Sequence, residues 1–303
     1  RTSFFKNNQV MGALMVLLGA IFFSTKAVLI KLAYQYQVDA FTLFALRMLF
    51  SLPFFVLLAQ IEERRHPRNP LKTRDWLHVA LVGIMGFYVA GTLDFLGLQY
   101  ITASLERLVL FAYPSLVVII SAILYKHKIR GIQYLALLLT YVGIGMALVG
   151  DLSLNQQENV WLGVMLIFGT ALAFSIYFLG SAHLIPRLGS IRFNAYTMCI
   201  TSVLVISQAF VLSPGQIWVQ PLEVYGLSLL MALLSTVLAT TLMTAGIGKI
   251  GASNAAIISS TGPISTIILA SIFLDEMIGS LQIFGTLLVL LGVLFISLMK
   301  SKT

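Results

Sequence analysis

The stretch Ile101 to Gly150, ITASLERLVLFAYPSLVVIISAILYKHKIRGIQYLALLLTYVGIGMALVG, realigns without a gap on Ile250 to Met299 of the same chain. Ala103, Ser104, Pro114, Ile119, Ile123, Gln133, Leu138, Leu139 and Gly143 recur as Ala252, Ser253, Pro263, Ile268, Ile272, Gln282, Leu287, Leu288 and Gly292. The turn inside each copy carries the opposite charge: Lys126-His127-Lys128 stands where the second copy has Asp275-Glu276-Met277. Cytoplasmic turns collect Lys and Arg, so the two copies are expected to cross a bilayer in opposite directions. The earlier part of each half repeats more weakly, Gly12, Ala20, Phe23 and Ser24 recurring as Gly163, Ala171, Phe174 and Ser175.

Composition agrees with a chain threaded through lipid. Of 303 residues, 59% are hydrophobic and 10% charged, with a mean hydropathy of +0.96, far above a soluble domain. Apolar runs long enough for a hydrocarbon core of about 30 Å are expected near 10–33, 40–60, 77–98, 101–124, 131–150, 160–182, 194–213, 223–247, 251–273 and 279–299. The fold class expected is an all-α integral membrane protein of ten transmembrane helices in two five-helix inverted repeats, 1–150 and 151–303. With both termini cytoplasmic, the inner turns receive most of the Lys and Arg, and the outer ones Asp39, Asp151, Glu158, Glu223, Asp275 and Glu276. The net charge of +8 lies in turns, with no stripe or tail, so it reports orientation and no nucleic-acid partner is expected. The one cysteine, Cys199, excludes a disulfide framework or a thiolate metal site within one chain. The first apolar run is long enough to span and lacks a small-residue cleavage pattern, so no cleavable signal is expected.

Ten helices in a five-plus-five inverted repeat, each half ending in A-S-x9-P, a turn and Q-x9-G, resemble the drug/metabolite transporter superfamily, specifically its EamA-type bacterial members. The resemblance covers nearly the whole chain and implies a central cavity between the halves. It also implies a multi-pass protein of the bacterial inner membrane that exports amino acids or related metabolites, moves nucleosides, or takes up cofactors such as S-adenosylmethionine, by proton coupling or exchange.

Five ionisable residues fall within apolar segments of the first half: Lys26, Arg47, Asp94, Glu106 and Arg107. Each costs on the order of 3 kcal/mol to insert, and at about 1.5 Å per residue all five sit at similar depth in the outer part of the bilayer. One reading makes the layer a fastener, Asp94 against Arg107 and Glu106 against Lys26 or Arg47. The other makes Asp94, Glu106 and Arg47 coupling or gating residues, and gives Lys26 or Arg107 a carboxylate or phosphate of the substrate. The second half has Met243, Ala255 and Ala256 at the positions matching Asp94, Glu106 and Arg107, so the two gates are expected to differ.

Pro114 and Pro263 each remove an amide donor and are expected to break their helices where transporter sites are built. Ser259, Ser260 and Thr261 beside Pro263, with Tyr88, Phe111, Tyr113 and Tyr177, complete the expected substrate-binding set. Packing is the competing reading for each of them, since membrane Ser and Thr bond back to carbonyls and aromatic rings fill cores. Trp76, Trp161 and Trp218 are expected as interfacial anchors.

The expectation is a secondary transporter of a small molecule working by alternating access, with protons as coupling ion, the lipid bilayer as partner, and a monomer or weak dimer as its state. No cofactor, metal or catalytic residue is expected. The chain has no G-x4-G-K-S/T loop, no H-E-x-x-H, and its histidines 66, 78, 127 and 183 are scattered, which disfavours ATP drive and an intramembrane enzyme. A channel would need repeated selectivity elements. Impermeant thiol labelling checks the topology: cysteines at positions 126 and 275 are expected to react from opposite faces, and reaction from one face removes the inverted repeat.

Overall fold

The computed structural model describes residues 2–65, 71–126, 131–154, 158–250, 255, 258–259 and 261–300, and among them all regular structure is helical. We number the segments α1 (Thr2–Tyr34), α2 (Ala40–Arg65), α3 (Thr73–Gly97), α4 (Ala103–Tyr125), α5 (Gly131–Leu154), α6 (Val160–Leu188), α7 (Ser190–Leu212), α8 (Leu222–Met231, Ala232–Leu238 and Ala239–Ile250), α9 (Gly262–Phe273) and α10 (Ser280–Lys300). Eight of them, α1 to α8, are long and apolar enough to cross a membrane, and α9 and α10 are apolar and shorter among the described residues. Their outward faces carry Leu77, Ile123, Met165, Val211 and Leu222, all exposed. Such a surface suits acyl chains and would aggregate in water. The helices overrun the apolar stretches at several ends: α2 continues to Arg65 and α6 to Leu188, because hydropathy marks the hydrocarbon slab and a helix in water or headgroups needs no apolar residues.

Packing repeats about a pseudo-twofold axis. Helix α1 packs on α8 and α9, and its counterpart α6 packs on α3 and α4; α2 faces α7, and α5 faces α10. Individual residues obey the same relation. A Cβ on Gly143 would come within 2.6 Å of Gly285 O, and one on Gly292 within 2.7 Å of Ala136 O, positions that exchange under the repeat. The Ser24 hydroxyl lies 2.7 Å from Ala20 O and 3.0 Å from Gly262 O; the Ser175 hydroxyl lies 2.6 Å from Ala171 O and 3.0 Å from Tyr113 O. Helices α3 and α8 each contain a π-helical stretch, Ile84–Val89 and Ala232–Leu238, at matching positions. Lys126 and Asp275 end α4 and precede α10 with φ of 52° and 53°.

Both expected proline breaks bear on this pattern. Helix α4 splits into Ala103–Leu110 and Tyr113–Tyr125, with Pro114 in the first turn of the second piece. Pro263 likewise occupies the first turn of α9. Proline is tolerated there because its missing N–H is one a helix start leaves free. One residue, Gly189, joins α6 to α7 at φ 81°, a conformation that disfavours any side chain.

The close crossing of α5 and α10 is testable. Gly143→Leu is expected to cost about 2–3 kcal/mol in a thermal melt in detergent, the price of overpacking. Gly145→Leu, which meets nothing within 4 Å, is expected to leave the melt unchanged.

Candidate functional site

Helices α1, α3 and α4 bring three of the expected charges together. Lys26 Nζ donates to Asp94 Oδ2 at 2.6 Å and to Glu106 Oε1 at 3.4 Å, and all three side chains are buried. Of the pairings read from sequence, Glu106 with Lys26 is present, whereas Asp94 bonds to Lys26 in place of Arg107, so one ammonium is shared between two carboxylates. Asp94 Oδ1 and Glu106 Oε2 are buried without a hydrogen-bond partner. Two carboxylates against one ammonium leave the triad itself one negative charge, which lies within the attraction of Arg107 and Arg47 and can be changed by a proton or a substrate cation.

The arginines stand on either side of this triad. Arg47 Nε donates to Thr236 Oγ1 at 2.8 Å in the π-helical stretch of α8, and its guanidinium lies 5.7 Å from the Phe95 ring. Arg107 lies 4.8 Å from the Phe23 ring and 5.4 Å from the Phe111 ring. Its Nη2 would meet a Cβ on Gly262 at 2.8 Å, so the guanidinium touches the second-half break. From Phe111 an aromatic series runs through Tyr113, which stacks on Phe178 at 5.2 Å, to Phe174 and Tyr177, and on to Phe87 and Phe193.

The remaining expected site residues bond or pack among other groups. Tyr88 lines a separate groove of about 400 Å³ against Leu204, Ser207 and Gln208 of α7. Tyr177 packs in the aromatic series, its ring against Gly86. Ser259 Oγ donates to Ala255 O at 2.7 Å and Thr261 Oγ1 to Ile258 O at 2.8 Å, the carbonyl back-bonding that competes with ligand binding. Ser260, with Ser253, Asn254 and Ala256, lies outside the described residues.

Three polar contacts escaped the sequence reading. Glu276, assigned there to an exposed turn, is buried and caps α4: Oε1 accepts from Ala103 N at 2.7 Å, and Oε2 accepts from Ser104 N at 3.1 Å and Ser104 Oγ at 2.6 Å. A carboxylate on free helix N–H groups is favoured by charge and dipole together. Asp151, in the last turn of α5, accepts from Thr102 Oγ1 at 2.7 Å while that oxygen caps Leu105 N. At the opposite ends of α2 and α7, buried Arg192 donates to Glu63 at 2.9 Å and to the Tyr196 hydroxyl at 3.0 Å. The only available signal was Thr102 and Ser104, both of helix-capping residue types; the partners are far away in sequence. Beside Glu276 a polar cavity of about 700 Å³ is lined by Lys31, Tyr34, Asp39, Gln99 and Thr102 among others. Lys31, expected at an outward helix end, turns inward to Leu98 O and Ile101 O.

Comparison with known proteins accords with this arrangement. The model of the EamA-like transporter family matches twice, over residues 10–149 and 161–298. The uncharacterized transporter YcbK of Bacillus subtilis is 32% identical over 279 residues, 90% of this chain and 88% of that protein. The uncharacterized transporter sll1319 of Synechocystis sp. is 26% identical over 97% of this chain and 95% of its own. A crystal structure covering 96% of this chain and 98% of its own superposes with a TM-score of 0.65 at 16% identity, which shows the fold alone.

The cap on α4 gives a direct check. Glu276→Gln is expected to destabilise the fold by about 2 kcal/mol, the worth of a hydrogen-bonded charge, and to speed hydrogen–deuterium exchange at residues 103–105. Unchanged exchange there would show that the carboxylate contributes nothing to α4.

Proposed function

Because the chain belongs to the EamA-like transporter family, we propose that it is a secondary transporter moving a small metabolite, an amino acid or amino-acid derivative, out across the bacterial inner membrane by alternating access. In this reading the halves 1–150 and 151–303 rock about the seam where Pro114 and Pro263 break their helices, and both termini lie in the cytoplasm. The single observation that carries the reading is Lys26 shared between Asp94 and Glu106. A buried triad of this kind changes its charge by taking up one proton or one substrate cation, which is what coupling requires. Intramembrane ionisable groups facing the interior mark ion and substrate pathways.

A nucleoside or S-adenosylmethionine transporter of the same fold is the second reading, favoured by the aromatic series from Phe111 to Tyr177, against which a base could stack. An intramembrane enzyme has less support: the family and the relatives carry transporter names, and the described residues hold no cluster of His, Cys, Asp and Glu fit for a metal.

Proteoliposomes test the leading reading. Saturable counterflow of an amino acid is the expected result, and product formation without movement would favour an enzyme. Asp94→Asn or Glu106→Gln is expected to cut proton-driven uptake by about tenfold or more, the loss of at least 1.4 kcal/mol of coupling, while exchange persists. Unchanged pH dependence in both variants removes the triad from coupling.

A further inference from the structure

Among the described residues, Arg107 is the one charge of the layer without a hydrogen bond or ion pair, held only by the longer-range attraction of Glu106 and Asp94. Only 6% of the residue is exposed, and among the described residues it makes no hydrogen bond and no ion pair. Its Nε is fully buried with no acceptor. A guanidinium carries five N–H donors and no side chain of its kind deprotonates in a protein, so burying it unpaired is costly. The rings of Phe23 and Phe111 offset part of that cost through their π faces but accept no conventional hydrogen bond. The other cations are engaged: Lys26 by both carboxylates and Arg47 by Thr236. The residue is also well placed. It reaches from α4 past Phe23 of α1 to Gly262 of α9, so it sits where the two halves meet, beside the second-half break.

We propose that Arg107 anchors the transported molecule through an oxyanion, and that the substrate therefore carries a carboxylate or phosphate group. A guanidinium fork matches the two oxygens of such a group, and the ligand supplies the acceptors that the fold withholds. This rests on the transporter reading above and narrows it. Amino acids and S-adenosylmethionine carry the required carboxylate, and neutral nucleosides do not. The buried oxygens Asp94 Oδ1 and Glu106 Oε2, which have no partner, suit the ammonium end of a zwitterion.

The test does not presuppose a ligand. Proteoliposomes of the full chain are loaded with a small-molecule extract of bacterial cells, and the molecules released are identified by mass spectrometry. The wild type is expected to release carboxylate- or phosphate-bearing molecules, the identity of the set deciding between the two anions. Release is expected to fall about tenfold or more in Arg107→Gln, a loss of at least 1.4 kcal/mol, and to be partly kept in Arg107→Lys. A thermal melt without ligand separates binding from structure: Arg107→Gln gives up the ring contacts and the attraction of Glu106 and Asp94 and is expected to stay folded at the assay temperature. Unfolding of Arg107→Gln at that temperature, release of neutral molecules alone by the wild type, or wild-type release of anions by Arg107→Gln would each overturn the assignment. A wild type that releases nothing while remaining folded would instead overturn the transporter reading on which the assignment stands.

Discussion

Hydrocarbon offers no hydrogen bonds, so any backbone or charged group that leaves the regular helix must find its partner inside the protein. The rest of this structure follows from that constraint. Helix α4 breaks ahead of Pro114 and α9 begins at Gly262, beside Pro263. Ser175 donates to Tyr113 O and Ser24 to Gly262 O, each reaching across from the opposite half to the start of a helical piece. The same constraint governs the charges, where buried Lys26 serves two buried carboxylates.

The two halves share a backbone plan and differ in chemistry. Matching glycines, serines, π-helical stretches and positive-φ turns preserve the plan, because each is fixed by close contact between backbones, where the tolerance is a few tenths of an ångström. The side chains facing the seam are under no such restraint. Asp94 and Glu106 of the first half have Met243 and Ala255 as counterparts, so a symmetric scaffold holds an asymmetric site. Under the proposed alternating-access reading, two similar halves give two states of comparable energy, and the charges of the first half alone would hold the ligand.

The carboxylate contacts between the halves sit at the ends of the bundle. Glu276 seats on the start of the helix that carries Glu106 and Arg107, so the turn before α10 and the charged layer are mechanically joined through a single turn of α4. At the other end, Arg192, Glu63 and Tyr196 tie α2 to α7, and Asp39 accepts from Ser213 where the same two helices meet again. The α2–α7 pair is pinned at both ends by charge-assisted bonds, whereas the α4 cap depends on one carboxylate.

The sequence by itself determined the membrane class, the inverted repeat, the five buried charges and the two breaks. Each is written in local properties: runs of apolar residues, the sign of a turn, the missing amide of a proline. It did not determine who pairs with whom. Asp94 reads as a partner for Arg107, Glu106 as one for Lys26 or Arg47, and Glu276 as a turn charge, because charge and depth do not encode the rotation of a helix about its axis. Only tertiary packing sets that rotation. It turns Asp94 and Glu106 toward Lys26, carries Glu276 onto an N-terminus 172 residues away in sequence, aims Tyr88 into a groove of its own, and leaves Arg107 facing Gly262 with no hydrogen bond among the described residues.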